Sequence, residues 1–352
     1  MISEKSLTIE WFEIVSNRNN KADKILIEKV IRALLLLEGL AGSKFSFVFK
    51  GGTALMLMFG STRRLSIDID IIVPEKIELN SIFENIVKTK RFTRYSEQKR
   101  TTNSNIPKSH YKFFYTPVYR TSDTEQYVLL DILFDKTHYQ KLESITVDST
   151  FVQQEGPLAN VTVPSFDDII GDKLTAFAPN TTGIPYLKNG HSQTMEIIKQ
   201  LYDIGYLFDK SDDLSIVAKT FNEYVVVESG YKGINANSKD VVNDIIQTSL
   251  LLGTRGLDGK GDYKGLLTGI TQIKQFIFSE SYHIEKAIVH SAKATYLATA
   301  IERKITVLEK YKEPLQVKDW NIEQPFYTRL NKLKKSNPEA FFYWHKIYEL
   351  TK

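Results

Sequence analysis

Asp68 and Asp70 stand two residues apart in Ser66-Ile67-Asp68-Ile69-Asp70-Ile71-Ile72-Val73. An extended backbone puts both carboxylates on one face and the flanking isoleucines on the other, which marks that other face as buried. Two like charges so close together are unfavourable unless a cation or solvent compensates them. Mg²⁺ does this, and it usually pairs one or two carboxylates with substrate phosphates. The competing reading is the solvent-facing polar side of an edge strand, as in many D-x-D sequences.

The surroundings add to the metal reading. Phe45 to Phe49 is a short β-prone run that reaches Lys50-Gly51-Gly52-Thr53, and Thr53 to Phe59 has helical apolar positions at Ala54, Leu55, Leu57 and Met58. Glycines at a strand-to-helix turn let backbone approach a ligand closely, and N–H groups at a helix start attract phosphate. Thr53 can add a hydroxyl donor. Arg64 and Ser66 sit just before the carboxylates, where a guanidinium could hold a triphosphate oxygen. A plain tight turn and a surface salt bridge are the alternatives for the glycines and for Arg64. Asp131 supplies a third acid inside the apolar run Val128 to Phe134, where a carboxylate needs a function or an ionic partner.

The elements that must position these groups follow from periodicity. Asp23 to Gly42 has helical apolar spacing, and Ser66 to Val73 is a strand that starts at an edge or cleft and is closed by Pro74. Glu78 to Lys88 is a candidate helix. Tyr111 to Tyr119 and Tyr127 to Phe134 read as strands, linked by the polar Arg120 to Gln126, and Pro117 makes the first an edge strand at best. Ser165 is placed to cap a helix over Asp168 to Phe177, with Asp168 three residues on, and Gln193 to Phe208 is a second helix. Beyond Lys210 helical patterns dominate, over Ile284 to Tyr311, Tyr327 to Lys335 and Glu339 to Leu350. The expected fold class is α+β, with a catalytic domain over 1–210 and a helical C-terminal domain over 211–352.

Composition narrows the function classes. With 352 residues, 42% of them hydrophobic and 25% charged, the chain is globular rather than disordered. It contains no Cys, which excludes disulfides, thiolate metal sites and a cysteine nucleophile and fits a reducing cytoplasm. The first ten residues do not read as a signal peptide, and no stretch approaches the ~20 apolar residues of a membrane span. The net charge of +4 is mild but uneven. From Lys88 to Arg120 there are nine Lys/Arg against one acid, Glu97, with Phe92, Tyr95, Tyr111, Phe113 and Tyr115 among them. Such a stretch can neutralise phosphates and stack bases, or it can be a solvated rim whose aromatics face a core. Gly253 to Gly261 fails the Walker A spacing, because Lys260 is followed by Gly261, and reads as a flexible loop. His283 and His290 have no zinc-protease spacing and read as helix-surface or packing residues.

Lys50-Gly51-Gly52-Thr53-Ala54-Leu55 followed by Arg64-x-Ser66-x-Asp68-x-Asp70 resembles the AbiEii/AbiGii family of nucleotidyltransferase toxins, within the DNA polymerase beta-like superfamily. Asp172-Lys173-Leu174-Thr175-Ala176 is similar to the family's lysine helix. Lys199-Gln200-Leu201-Tyr202-Asp203-Ile204 is similar to its K-D-x-x-D-L helix, with Gln200 where an acid is common and Asp203 retained. The similarity spans about 45–208.

The resemblance implies a mixed sheet with flanking helices and transfer of a nucleoside monophosphate from an NTP, with release of pyrophosphate. Asp68, Asp70 and Asp131 would hold Mg²⁺ (Mn²⁺ being the alternative), and Asp131 would help deprotonate the attacking hydroxyl. Lys173 would neutralise triphosphate charge, with Asp203 positioning it or closing the site. Lys50, Gly51, Gly52, Thr53, Arg64 and Ser66 would bind the nucleotide phosphates. It further implies a cytoplasmic growth-inhibiting toxin of the abortive-infection type, an RNA acceptor, in particular the tRNA 3′ end, and a separate antitoxin protein. A protein side chain or small-molecule hydroxyl as acceptor, and a non-enzymatic binding module on a degenerate transferase fold, are the competing readings.

Overall fold

The computed structural model describes residues 1–43, 45–60, 63–98, 107–119 and 124–352. The chain forms two compact units. One, the sheet unit, comprises Met1–Thr137, Leu142–Pro164 and Phe276–Ser281. The other, the helical unit, comprises His138–Lys141, Ser165–Gln275 and Tyr282–Lys352. The units divide at Pro164, whereas the sequence places the break at 210. Strand signals thin out only near 210, but the helices that follow Pro164 pack with later helices of the chain.

The sheet unit begins with helices α1 (Ile9–Arg18) and α2 (Lys24–Ala41), then β1 (Val48–Lys50), α3 (Gly51–Met58), β2 (Ile69–Val73) and α4 (Asn80–Lys88). It continues with β3 (Arg94–Glu97), β4 (Lys108–Tyr115), β5 (Gln126–Phe134), β6 (Leu142–Thr146) and β7 (Asn160–Pro164). The strands form one mixed sheet in the order β3-β4-β5-β2-β1-β7-β6. β2 therefore lies inside the sheet, antiparallel to β1 and parallel to β5. β4 is interior as well, between β3 and β5. The edge position expected from Pro117 does not arise, because the strand ends at Tyr115, before the proline removes a donor.

α2 is the central helix of this unit. Asp23 caps it, accepting the N–H groups of Ile25 (2.7 Å) and Leu26 (3.2 Å). Its apolar residues Ile27, Val30, Ile31, Leu34 and Leu37 are fully buried. Two charged residues are buried with them. Glu28 accepts the N–H groups of Val118 (2.9 Å) and Tyr119 (3.1 Å), and Arg32 lies 3.4 Å from it. Burial pushes the Arg32 guanidinium below its ordinary range, against the pull of Glu28. The chain returns to the sheet unit at Phe276, whose carbonyl accepts Leu65 N–H at 2.7 Å.

The helical unit contains α5 (Phe166–Ala176), the hairpin strands β8 (Leu187–Lys188) and β9 (His191–Ser192), α6 (Thr194–Leu207), α7 (Leu214–Lys232), α8 (Ser238–Gly253) and α9 (Tyr263–Ile273). It ends with α10 (Ile284–Glu302), α11 (Leu333–Ser336) and α12 (Pro338–Thr351). α10 ends at Glu302 and does not run on to Tyr311, and Tyr327 to Lys335 is broken into a 3₁₀ turn and α11. Ala287, Ala292, Ala294, Ala298 and Ala300 are buried on α10, and side chains this small let α6, α8 and α12 pack closely around it. His290 is buried there beside Tyr202 and Tyr282, a packing residue as its spacing suggested, and burial holds it well below its ordinary pKa. The Gly253 to Gly261 segment is tied down: Gly256 N–H donates to Leu251 O (2.7 Å) and Asp258 N–H to Thr254 Oγ1 (2.8 Å). Among the described residues no helix is long and apolar enough to cross a membrane.

Ser165 caps α5 as expected, accepting Asp168 N–H at 3.1 Å. Asp168 itself is fully buried. It accepts the N–H groups of Gln140 (2.7 Å) and Lys141 (3.0 Å) and the hydroxyls of Ser165 (2.7 Å) and Thr220 (2.5 Å). Replacing Asp168 with Ala leaves these buried donors without acceptors. The expected loss is about 3–5 kcal/mol in urea-denaturation stability, and a loss under 1 kcal/mol would show that the network is not structural.

Candidate active site

The chemistry-bearing residues of the sheet unit are gathered by strand register. Lys50 on β1 is the Cα partner of Asp70 on β2, Asp70 is the partner of Asp131 on β5, and Asp131 is the partner of His110 on β4. Register partners on neighbouring strands project to the same face, with strands about 4.8 Å apart. Lys50, Asp70, Asp131 and His110 therefore form one polar row across four strands. The opposite face is core: Ile69, Ile71, Leu130 and Ile132 are each 1% exposed or less.

The glycine turn touches this row. Gly51 opens α3 with φ +82°, a left-handed conformation that favours glycine, and a side chain there would run into the Asp70 carboxylate. A methyl group on Gly52 would lie 2.7 Å from Ser66 Oγ and 2.8 Å from Arg64 Nη2. The two glycines are thus the condition for Asp70, Ser66 and the Arg64 guanidinium to meet the start of α3. Thr53 is fully buried, and its hydroxyl donates to the Asp68 carbonyl at 2.7 Å. Its proton is engaged in holding the carboxylate-bearing backbone. Asp68 itself stands one residue before β2, half-buried.

His110 was missed by sequence reasoning. Its Nδ1 lies 2.6 Å from Asp131 Oδ1, and with the carboxylate ionised the ring nitrogen is the donor. The bond occupies one Asp131 oxygen and fixes the orientation of the other. The carboxylate side chain remains 34% exposed, so it is reachable from solvent.

Divalent-ion binding can be judged from this donor set. Carboxylate oxygens are the ligands Mg²⁺ takes, commonly one or two from protein with the remainder from water and phosphate. Asp70 and Asp131, as neighbours on one face, meet that requirement. Among the described residues no group of three or more His, Cys, Asp or Glu is gathered as a ready-made metal cage, which such a binding mode does not need.

Lys173 and Asp203 meet within the helical unit. Lys173 Nζ lies 2.8 Å from Asp203 Oδ2, with side-chain exposures of 9% and 5%, and donates to Gln200 Oε1 at 2.9 Å. Gln200, in the place where an acid is common, thus serves as a neutral acceptor for the lysine. On the same helix Gly171 lets the α7 backbone approach: a methyl group there would lie 2.8 Å from Val217 O. The preceding residue, Asp172, accepts the Tyr139 hydroxyl at 2.7 Å, and burial with the Asp172 charge keeps that phenol protonated.

The basic stretch from Lys88 to Arg120 does not form one surface. Lys99, Arg100 and Arg120 lie outside the described residues. Arg91 pairs with Glu38 (2.7 Å) and Glu4 (3.0 Å), whereas Arg94 and Lys112 project from the face of the sheet that carries His110 and Asp131. Phe92, Phe113 and Tyr115 are buried, and Tyr95 and Tyr111 pack against the core, so these five rings are core residues.

No curated protein matches the chain. Two solved structures from Helicobacter pylori are similar to it. One, of a candidate nucleotidyltransferase, has 20% identity and a TM-score of 0.41 and covers 79% of this chain and 94% of its own. The other, JHP933, has 18% identity and a TM-score of 0.42 and covers 80% and 96%. The family described as nucleotidyl transferase AbiEii toxin, type IV TA system, matches residues 35–270, which contain the glycine turn, all three carboxylates, Lys173 and Asp203. The chain belongs to the AbiEii nucleotidyl transferase toxin family.

Proposed function

We propose that this protein transfers a nucleoside monophosphate from an NTP to the terminal hydroxyl of an RNA, in its narrowest form the tRNA 3′ end. Growth would thereby be blocked, and a separate antitoxin would neutralise the protein. The observation that carries the transferase chemistry is the row Lys50–Asp70–Asp131 with Gly51 and Gly52 held against Asp70, Ser66 and Arg64. Family membership supports the toxin and antitoxin parts of the reading.

Asp68, Asp70 and Asp131 are the residues that would hold the divalent ions, Mg²⁺ or Mn²⁺, whose positive charge offsets that of the phosphates. Lys50, Arg64, Ser66 and the first N–H groups of α3 bind and orient the triphosphate. Asp131 accepts the proton of the attacking hydroxyl with the oxygen that His110 leaves open. The new bond forms between the acceptor's hydroxyl oxygen and the α-phosphorus, the bond from that phosphorus to the α,β-bridging oxygen breaks, and pyrophosphate leaves. Lys173 and Asp203 take the roles the resemblance implies, charge neutralisation on the triphosphate and positioning of the lysine.

The direct test is incubation of the purified protein with total RNA, Mg²⁺ and each α-labelled NTP in turn. Labelled RNA with at least one NTP is expected, and label found only on protein or on a small hydroxyl compound would overturn the RNA acceptor. Asp68→Asn and Asp70→Asn should abolish transfer while circular dichroism stays unchanged, and Asp131→Asn should lower kcat by about 10²–10⁴-fold. Gly52→Ala, which displaces Ser66 and Arg64, should cost about 10²-fold in kcat/KM.

For Lys173 the structural and catalytic roles separate in a cycle. Lys173→Met alone should cost about 3–5 kcal/mol in urea-denaturation stability, because Asp203 is left buried with its charge. Lys173→Met with Asp203→Leu should regain most of that stability without regaining transfer. Recovery of both would assign the pair to folding alone.

A further inference from the structure

The face of the sheet that carries the carboxylate row continues into a second set of residues. Successive register rows run back along β3, β4 and β5. His110 and Asp131 are followed by Ser96, Lys112 and Leu129, and then by Arg94, Phe114 and Tyr127. Two residues per row place all of them on the same side as Asp131. Tyr127 lies four residues from Asp131 on β5, about 13 Å along the strand.

These residues are not packed into the core. Tyr127 is 39% exposed, and Arg94 and Lys112 carry their charges on the aromatic rings. The Arg94 guanidinium stands 3.5 Å over Phe114, the Lys112 ammonium stands 4.3 Å over Tyr127, and the two ring centroids are 5.9 Å apart. Glu125 faces the same end, 2.8 Å from Arg94. The chemistry offered is flat rings and a guanidinium plane for stacking, with cations between them for phosphate. On an accessible sheet face, that combination takes the bases and backbone of a single strand.

We propose that this face, centred on Phe114, Tyr127, Lys112 and Arg94, binds the single-stranded end of the RNA acceptor and leads its terminal hydroxyl toward Asp131. The proposal rests on the RNA-acceptor reading above and adds the surface and the form of RNA. A duplex has its bases stacked inside and cannot use these rings. Single-stranded RNA satisfies both the rings and the cations, and it is the occupant the charge and the aromatics favour over a protein segment.

The test is fluorescence anisotropy with an end-labelled single-stranded RNA oligonucleotide and the same sequence as a blunt duplex, on the full-length protein. The single strand should bind more tightly than the duplex, and Tyr127→Ala should weaken its binding by about tenfold, with Tyr127→Phe close to wild type. Lys112→Ala should lower the slope of log affinity against log salt by about one charge. Glu125→Gln should tighten binding a few-fold, a direction that damage to the fold would not produce. In transfer assays Tyr127→Ala should raise KM for RNA and leave KM for NTP unchanged. If the wild type labels RNA but Tyr127→Ala and Lys112→Ala bind the oligonucleotide as the wild type does, the surface is wrong and the RNA-acceptor reading stands. If the wild type labels no RNA, both fail.

Discussion

The register between β2 and β5 is the constraint on which the candidate active site depends. Side chains alternate along a strand, so a slip of one residue would turn Asp70 or Asp131 toward the interior and bring Ile71 or Ile132 out. A carboxylate without partners in that interior costs far more than the slip could return. The apolar positions of the two strands therefore lock the register, and the acids are brought side by side because the core forms. Nothing in Asp70 or Asp131 has to seek the other. The same reasoning carries Lys50 and His110 to their places, since β1 and β4 are aligned by Phe49 and Phe113 in the core.

That arrangement moderates its own electrostatics. Along the row the two acids are flanked by a lysine on one side and an imidazole on the other. His110 removes one of the four carboxylate oxygens of the central pair from open solvent without removing its charge. Gly51 lets the start of α3 lie against Asp70, and Gly52 leaves room there for Ser66 and the Arg64 guanidinium. The acids thus have cationic and polar neighbours and stay partly exposed.

Much of this was legible in the sequence because it is local. The D-x-D alternation, the glycines before α3, the Ser165 cap and the apolar face of α2 each depend on residues within a turn or a strand of each other. His110 was not legible, because its partner is 21 residues away and only strand pairing reports the contact. The aromatic residues between Lys88 and Arg120 show the same limit in a different way. Taken as one run they look like a stacking surface, but alternation sends Phe113 and Tyr115 inward and Phe114 outward, and the paired ring, Tyr127, comes from the next strand. The division of the units at Pro164 was not legible for a related reason. α5 follows the last strand of the sheet directly, yet α5 and α6 pack against α7 and α10, which come later in the chain.

The Lys173–Asp203 pair is different in kind, since a buried ion pair is weak evidence for a stabilising role. Two charges held at 9% and 5% exposure cost several kcal/mol each to desolvate, and well-packed apolar residues of similar size would serve stability as well or better. Gln200 sharpens the point. A second acid in its place would give the lysine two carboxylate neighbours, whereas the amide accepts a hydrogen bond and adds no charge. Lys173 thus has one carboxylate and one amide oxygen as its acceptors. One carboxylate and one amide account for two of the three N–H donors of the ammonium group. A third donor is what the proposed role of Lys173, charge neutralisation on the triphosphate, calls for.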